Sequence, residues 1–332
     1  MKKLIIKNIA LGMFLAGFTV SNAFALDAKT TKPIEGNPPL IKGTSANAKD
    51  HSLTLTVEDS AGNTIGQTQA KVGNYIKIKY NLQDTDGDED KGSVKTTLKV
   101  FYLLGNTWKE ANMSTLELSG TNNASENEIK FKITDEFAGA TKIGFKILER
   151  TEFGLPYANQ WLRVSDIWSN KAPGTVNGID ENGNLTGGPI PSDLDGKDEG
   201  PGDVDNPNLN GFGPIASDEM KVYILAADSN DNYSIASSTL VPKQGGKYKA
   251  VVWLDKNGNG VLDANDVDLS ANYNFKWSLD GNYESVPASA DVIASTQVIT
   301  LGQLNSDSMY ASGNYKAGAQ GYNLKVTAEI KP

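Results

Sequence analysis

The feature that most constrains this fold is the period-two alternation of apolar and polar residues. Helical periodicity is nearly absent, and because successive strand residues point to opposite faces, each alternating segment predicts a half-buried β-strand. The alternating segments begin at Ile76, Leu98, Ile129, Ile143, Met220, Tyr273 and Leu324. Short strands with turn-rich connections predict an all-β chain built from two β-sandwiches of immunoglobulin-like architecture.

The predicted strands fall into two blocks, residues 49–169 and residues 214–332. Between them, residues 170–213 are rich in glycine, proline, aspartate and asparagine, which predicts an acidic interdomain linker or a long loop. Residues 26–48 are polar and contain several prolines, so they predict a flexible leader. The expected order is therefore leader, sandwich, linker and second sandwich.

The N-terminus has the pattern of a secretory signal. Three lysines lie among the first seven residues, an apolar run of residues 9–20 follows, and A-F-A at residues 23–25 offers a cleavage site. We expect residues 1–25 to be a signal peptide; an uncleaved anchor is the alternative. The apolar run is too short to span a bilayer comfortably, and no later segment is a better candidate. The expected location is the periplasm, the cell surface or the medium.

Charge and residue usage limit the possible functions. The formal charge is −9, and removal of residues 1–25, which hold three lysines and no acids, takes it to −12. Such a chain repels nucleic acid, so no nucleic-acid partner is expected. The chain has no cysteine, and its one histidine is His51, so neither a cysteine nucleophile nor a Ser-His-Asp arrangement is predicted. We therefore do not expect an enzyme.

Residues 255–266, D-K-N-G-N-G-V-L-D-A-N-D, match the spacing of a twelve-residue calcium loop. Gly260 stands at the sixth position, where the backbone turns sharply. Asp266 replaces the usual glutamate at position 12, which predicts weak binding of Ca²⁺. A metal-free turn rich in polar residues is the alternative. The predicted ligands are Asp255, Asn257, Asn259, Val261 through its carbonyl, Asp263 and Asp266.

A second acidic segment, D-T-D-G-D-E-D, holds the alternating residues Asp84, Asp86, Asp88 and Asp90. The first half matches the same loop pattern, but Lys95 stands where the last ligand is needed. This segment is a possible second metal site, with a solvated acidic turn as the alternative. In both blocks a glycine-led strand, with Tyr75 or Tyr248 near its start, runs into the aspartate-rich loop.

Aromatic residues alternate with arginine in residues 149–168, E-R-T-E-F-G-L-P-Y-A-N-Q-W-L-R-V-S-D-I-W. These residue types are favoured at binding hot spots, which makes the segment a possible partner-binding surface. The alternative is a loop and a strand whose tryptophans fill the sandwich core. The candidate contact residues are Arg150, Phe153, Tyr157, Trp161 and Arg163.

Residues 137–168 and the upstream D-T-D-G-D resemble the adhesion-type domain of enterobacterial autotransporter-associated exoproteins of the SinI type and, more distantly, of the ZirS and ZirU type. In the second block, E-M-K-V-Y-I-L and D-K-N-G-N-G-V-L-D are similar to the C-terminal half of these proteins. The resemblance implies an outer-membrane β-barrel of the intimin or invasin type as the partner. It implies no catalytic residues.

The sequence thus predicts an exported, calcium-stabilised binding protein of adhesion type that acts with such a barrel. A glycan-binding adhesin is the second hypothesis, with the aromatics of residues 149–168 stacking on sugars; a host surface protein is another possible ligand. A glycoside hydrolase that uses two carboxylates is the third.

Overall fold

The computed structural model describes residues 27–66, 68–122, 127–203, 205, 213–288, 291–302 and 318–331. The predicted signal peptide lies outside them. The chain divides into two compact units, residues 1–35 and 36–332. The described part of the first unit, residues 27–35, contains neither helix nor strand. In the second unit, strands dominate and the described residues hold one α-helix, α1 (Ser93–Thr96), so the predicted all-β class is confirmed.

Two five-stranded antiparallel sheets form the first β block, residues 36–216. The strands of the first sheet are β1 (Leu40–Lys42), β2 (Thr54–Glu58), β3 (Tyr75–Gln83), β6 (Ser119–Asn122) and β7 (Asn127–Lys132). Their order is β1-β3-β7-β6, with β2 also paired to β3. The strands of the second sheet are β4 (Lys99–Leu104), β5 (Thr107–Glu110), β8 (Lys142–Arg150), β9 (Ala158–Val164) and β10 (Gly174–Asn177). Their order is β10-β9-β8-β4-β5.

The core of this block lies between the two sheets and follows the alternation in the sequence. Alternate apolar residues of β3 and β7 point inward and meet apolar residues from β4, β8 and β9; the buried ones are Ile76, Ile78, Tyr80, Ile129 and Phe131. Burying one face of each sheet against the other removes apolar area from water, which is the main favourable term in folding. Typical members of the core are Ile78, Tyr80, Phe131, Val100, Phe145, Leu162 and Trp168.

The second β block, residues 217–331, has a smaller core around Trp277, Leu254 and Phe275. One sheet contains β11 (Met220–Ala226), β12 (Lys247–Leu254), β13 (Val267–Asp268) and β17 (Val298–Thr300), with β12 in the centre. The facing sheet consists of β14 (Tyr273–Asp280) and β18 (Asn323–Ile330). A short hairpin joins β15 (Asn282–Tyr283) to β16 (Val286–Pro287). Four 3-10 helices complete the described elements: Met113–Thr115, Asp135–Phe137, Pro191–Leu194 and Ser270–Asn272.

The two blocks are in direct contact. Ala138 of the first block is buried in the core of the second, and Val72 packs against both cores. A Cβ added to Gly139 would lie 3.1 Å from Leu269 Cδ1, and its φ of 74° is one that side-chain-bearing residues rarely adopt. A glycine at this position therefore allows the close approach of the two blocks.

Residues 170–203 differ from the expected linker because they lie against the first β block. Strand β10 pairs with β9 along four residues. Leu194 is 1% exposed and packs on Phe101 and Trp108. The Leu53 amide donates to the Pro201 carbonyl at 2.7 Å. Leu194 and Glu199 of this segment find partners on the second sheet, which composition alone does not reveal.

Part of the expected leader is also structured. Strand β1 pairs with the end of β3, and its Ile41 is fully buried in the first core. The Ile41 amide donates to the Glu149 carboxylate at 2.9 Å. One inward apolar side chain and one buried acceptor thus hold residues 40–42 in place.

No helix in the described part of the chain is long and apolar enough to cross a membrane.

Leu194→Ala should destabilise the protein by about 2–4 kcal/mol, because it opens a cavity beneath a segment that composition would assign to a linker. Urea unfolding measures this change. The matched control is Ile190→Ala in the same segment, whose side chain is 57% exposed and whose loss should cost less than about 0.5 kcal/mol. Equal, small effects of both changes would contradict the packing of residues 170–203.

Candidate functional site

The aspartate loop after β12 begins with a buried carboxylate. Asp255 is 2% exposed. Its oxygens accept hydrogen bonds from the Gly258 amide at 2.7 Å, from the Gly260 amide at 2.9 Å and from the Tyr223 hydroxyl. Burial alone would raise the pKa of Asp255, but these donors outweigh it and the pKa lies below its usual value. Burial and the neighbouring Asp255 together raise the pKa of Tyr223.

The other predicted ligands lie together in the same loop. The Asn257 carboxamide donates to Asp263 at 2.7 Å, and the Asn259 side chain accepts from the Val261 amide at 2.7 Å. Asp266 accepts from the Lys256 and Asp263 amides at 3.1 and 3.0 Å. Hydrogen bonds thus link Asn257 at position 3 to Asp263 at position 9. They also join Asp266 at position 12 to Lys256 near the start of the loop. Within the predicted set, Asn257 thus contacts Asp263, whereas Asp255, Asn259 and Asp266 bond to backbone amides of the loop.

Two residues that the sequence did not single out hold this loop to its sheet. Tyr223 of β11 binds Asp255, and Asn232 donates to the Gly260 carbonyl at 2.8 Å. Gly260 has a φ of 70°, as the expected turn requires. A Cβ there would lie 2.3 Å from Ile235. The loop is therefore fixed from outside as well as by its own side chains.

The loop is compatible with calcium in its chemistry. It offers three carboxylates and two carboxamides, which are the hard oxygen ligands that Ca²⁺ takes. In the present conformation most of these oxygens accept hydrogen bonds from the loop itself. Within the described residues, no three acidic or histidine side chains are grouped tightly enough to hold a metal ion as they stand. Calcium would replace hydrogen bonds that the loop now makes.

The second aspartate loop follows β3. One oxygen of Asp84 accepts from the Asp86 and Asp88 amides at 2.9 and 3.4 Å. The other oxygen is buried and has no hydrogen-bond partner among the residues that the structure describes. A buried carboxylate oxygen without a donor is costly, and a cation would satisfy it.

Asp90 has a different role from the other acids of this loop. It is buried and accepts hydrogen bonds from the Val94 amide at 2.8 Å, the Tyr80 hydroxyl at 2.7 Å and the Asn122 carboxamide at 2.9 Å. The Val94 contact ties it to the first turn of α1. With both oxygens engaged, Asp90 organises the loop. Asp84 and Asp88 remain candidate ligands, together with Asp86, whose two oxygens accept from the amide and the carboxamide of Asn37.

The second aspartate loop and residues 150–157, at the end of β8, lie side by side. The Glu152 amide donates to the Glu89 carbonyl at 2.8 Å. A Cβ added to Gly154, whose φ is 129°, would lie 2.6 Å from the Asp88 carboxylate. Two segments that were predicted separately, one for metal and one for a partner, thus form a single surface at one end of the first β block.

The aromatic loop exposes large apolar side chains. Phe153 is 68% exposed and Leu155 is 46% exposed. The Arg150 guanidinium lies over the Tyr157 ring, 5.4 Å from its centroid. Exposed phenylalanine and leucine beside an arginine–tyrosine stack form the kind of surface that binds partners. We refer to residues 150–157 as the aromatic loop.

Trp161 and Arg163, predicted as part of the same surface, instead contact residues 170–203. Trp161 is 7% exposed and donates to Thr186 Oγ1 at 3.1 Å. Arg163 makes two hydrogen bonds of 2.6 Å to the Glu199 carboxylate. Both side chains are used within the fold because the segment expected as a linker covers them. This corrects the predicted partner-binding set to Arg150, Phe153 and Tyr157, with Leu155 added.

The sequence did not predict the burial of two ionisable side chains on β8. Glu149 lies 2.8 Å from Nδ1 of His51 and accepts from Asn159 at 3.0 Å; burial raises its pKa. Lys146 is also fully buried and donates to the Pro189 carbonyl, with the Trp161 ring centroid 5.1 Å from its Nζ. Burial, and the charge of Lys99, lower the pKa of Lys146 to about 8.

Comparison with known proteins adds no identification. No protein-family model matches this chain, and no curated protein was found to match it. The resemblance seen in the sequence therefore stays a prediction.

Raising the pH should stabilise the protein relative to its Lys146→Met variant. The folded-state pKa of Lys146 is about 8 and its ordinary value is 10.5, so between these values the unfolded chain binds more protons and stability rises with pH. The difference in unfolding free energy should grow by up to about 3 kcal/mol from pH 7 to pH 10.5 and be lost as the pH falls through 8. Urea unfolding of both proteins at each pH measures it. A difference that stays constant over this range would contradict a lowered pKa of Lys146 in the folded protein.

Proposed function

We propose that this chain is an exported binding protein of adhesion type that contacts its partner through the aromatic loop. The observation that carries this proposal is the exposure of Phe153 and Leu155 on a loop that is held in place by the neighbouring aspartate loop. Large apolar side chains on a rigid support lose little entropy on binding and gain apolar burial. The partner proposed from the sequence resemblance is an outer-membrane β-barrel of the intimin or invasin type.

Calcium is proposed as the stabilising ion at the Asp255 loop. It is also proposed at a second candidate site, with Asp84, Asp86 and Asp88 as its ligands. The two loops differ in what a cation would do. At the Asp255 loop it would replace hydrogen bonds within a closed turn, so the gain is expected to be small. At Asp84 it would satisfy an oxygen that has no donor among the described residues, and it would stiffen the loop that supports Gly154.

Binding of a glycan by the same loop is the second proposal. Phe153 offers an exposed ring, and Tyr157 is held in one orientation by its stack with Arg150. Exposed rings of fixed orientation are suited to stacking on the apolar face of a sugar. The two proposals use one surface and differ in the ligand, so a single variant tests the surface and the choice of ligand separates them.

Calcium should raise the thermal stability of the protein. For a site with a dissociation constant of about 0.1–1 mM, 5 mM Ca²⁺ contributes about 1–2 kcal/mol of unfolding free energy. Thermal unfolding with Ca²⁺, and with Mg²⁺ for comparison, measures this. Asp263→Asn with Asp266→Asn should abolish the part of the shift due to the Asp255 loop, and Asp84→Asn the part due to the second loop. Asp228→Asn, an exposed acid outside both loops, is the control. If millimolar Ca²⁺ leaves the unfolding temperature unchanged, the protein contains neither calcium site.

Phe153→Ala with Leu155→Ala should reduce retention of the protein at the cell surface about tenfold or more, since each anchor at a hot spot contributes 1 kcal/mol or more. Cells with and without a barrel of the intimin or invasin type are fractionated, and the protein is quantified in the medium, at the surface and in the periplasm. Val241→Ala, which also removes an exposed apolar side chain (63% exposed), is the matched control.

The outcomes separate the parts of the proposal. Retention that depends on the aromatic loop but not on the barrel would exclude the barrel and direct the search to a glycan array with Ca²⁺ present. Retention that depends on neither would exclude the aromatic loop as the binding surface.

A further inference from the structure

The smaller sheet of the second β block has one edge covered and one edge open. On the outer side of β14, the Trp277 amide donates to the Ala294 carbonyl, and the Ile293 amide donates to the Trp277 carbonyl, both at 2.8 Å. Strand β18 pairs with β14 along its whole length. On its other side, β18 is hydrogen-bonded to no strand among the residues that the structure describes; β11 of the facing sheet packs against it through the second core.

The hydrogen bond made by Lys331, just after β18, shows which residues of this strand bond to β14 and which point away from it. The Lys331 amide donates to the Asn272 carbonyl at 2.9 Å, in the same register that pairs Tyr273 with Ile330. Because hydrogen-bonded pairs alternate in an antiparallel ladder, the odd-numbered residues of β18 bond to β14. The backbone groups of the even-numbered residues therefore point to the open edge. These residues are Leu324, Val326, Ala328 and Ile330.

This edge has neither a proline nor a bulge to prevent pairing between strands. Residues 323–330, N-L-K-V-T-A-E-I, contain no proline, and their two charged side chains lie on the exposed face. Long regular edges without proline, a bulge or an inward charge are templates for another strand. Leu324, Val326 and Ala328 face the second core, so the inner side of this edge is apolar.

The charges on β18 are complementary to a second copy of the same strand. Lys325 and Glu329 lie two residues before and two residues after Thr327. A two-fold axis through Thr327 places each Lys325 opposite Glu329 of the second copy. A shift of two residues in one direction loses both charge pairs, and in the other direction it sets Lys325 against Lys331. Opposite charges directly across a pair of strands stabilise it, and like charges destabilise it.

The same register satisfies the backbone and the inner face. Val326 stands opposite Ala328 of the second copy, and Leu324 opposite Ile330. All four have outward-pointing amides and carbonyls, so each of these pairs can exchange two hydrogen bonds. Within one chain, Glu329 also contacts Lys276 at 2.6 Å and Lys325 lies 3.9 Å from Asp280. Pairing of the two copies would therefore continue an alternating row of charges across the sheet.

We infer that the protein forms a two-fold symmetric dimer through antiparallel pairing of β18 with β18 of a second copy. The two β14–β18 sheets join into one four-stranded sheet centred on Thr327. The aromatic loop lies on the first β block and takes no part in this contact.

Complementary charge reversals test this register. Lys325→Glu places two glutamates opposite each other at both symmetry-related positions, and Glu329→Lys does the same with lysines. Each single variant should dimerise about tenfold or more weakly than the wild type. An equal mixture of the two should recover the affinity, because every glutamate then faces a lysine. Sedimentation equilibrium over a concentration series of the mature chain, with one variant labelled, measures the masses and the pairing.

Lys247→Glu changes the net charge by the same amount at the start of β12 and should leave dimerisation unchanged. Val326→Pro removes an outward amide without touching the bonds to β14 and should yield a monomer; its circular dichroism and thermal unfolding confirm that it is folded. A chain that is monomeric at every concentration overturns the proposal. So does a dimer that neither charge reversal weakens, or two weakened variants whose mixture does not recover.

Discussion

A buried carboxylate must be given hydrogen-bond donors, and this requirement organises both halves of the protein. Asp90 in the first β block and Asp255 in the second are each buried at the loop that follows a central strand. Each accepts a tyrosine hydroxyl from its own sheet, Tyr80 and Tyr223 respectively, together with backbone amides of the loop. Because the cost of an unpaired buried charge is high, the loops are held in the conformations that supply these donors.

Long-range polar contacts play the same part elsewhere in the fold. Glu149 ties β1 to the second sheet through the Ile41 amide, and Glu199 ties residues 170–203 to β9 through Arg163. These contacts join segments that contribute little apolar area of their own. A chain that contains no cysteine fixes its irregular segments with buried charges and a few inward apolar side chains.

The strands could be predicted from the sequence because alternation is a local property. The segments around Ile76, Leu98, Ile129, Ile143, Met220, Tyr273 and Leu324 all form strands, and Gly260 of the Asp255 loop has the positive φ that the predicted sharp turn requires. The partners of residues 170–203 could not be predicted, since Leu194 and Glu199 are isolated in a polar stretch and their contacts lie far away in sequence. For the same reason Trp161 and Arg163 looked available for a partner. The composition of a segment can be read from the sequence, but its packing depends on the side chains of a second segment that is distant in the sequence.

The two proposed surfaces have a combined consequence because they lie on different β blocks. Pairing through β18 uses the second block and leaves the aromatic loop of the first block free in each copy. A dimer would then present two binding loops to a surface that carries many copies of the partner. Once one loop is bound, the second binds at the effective concentration set by the dimer. The avidity of the dimer can therefore exceed the affinity of a single loop by orders of magnitude. Weak individual contacts, such as two exposed apolar side chains, are sufficient for an adhesive protein under this condition, and loops braced by a cation would lose less entropy at each of them.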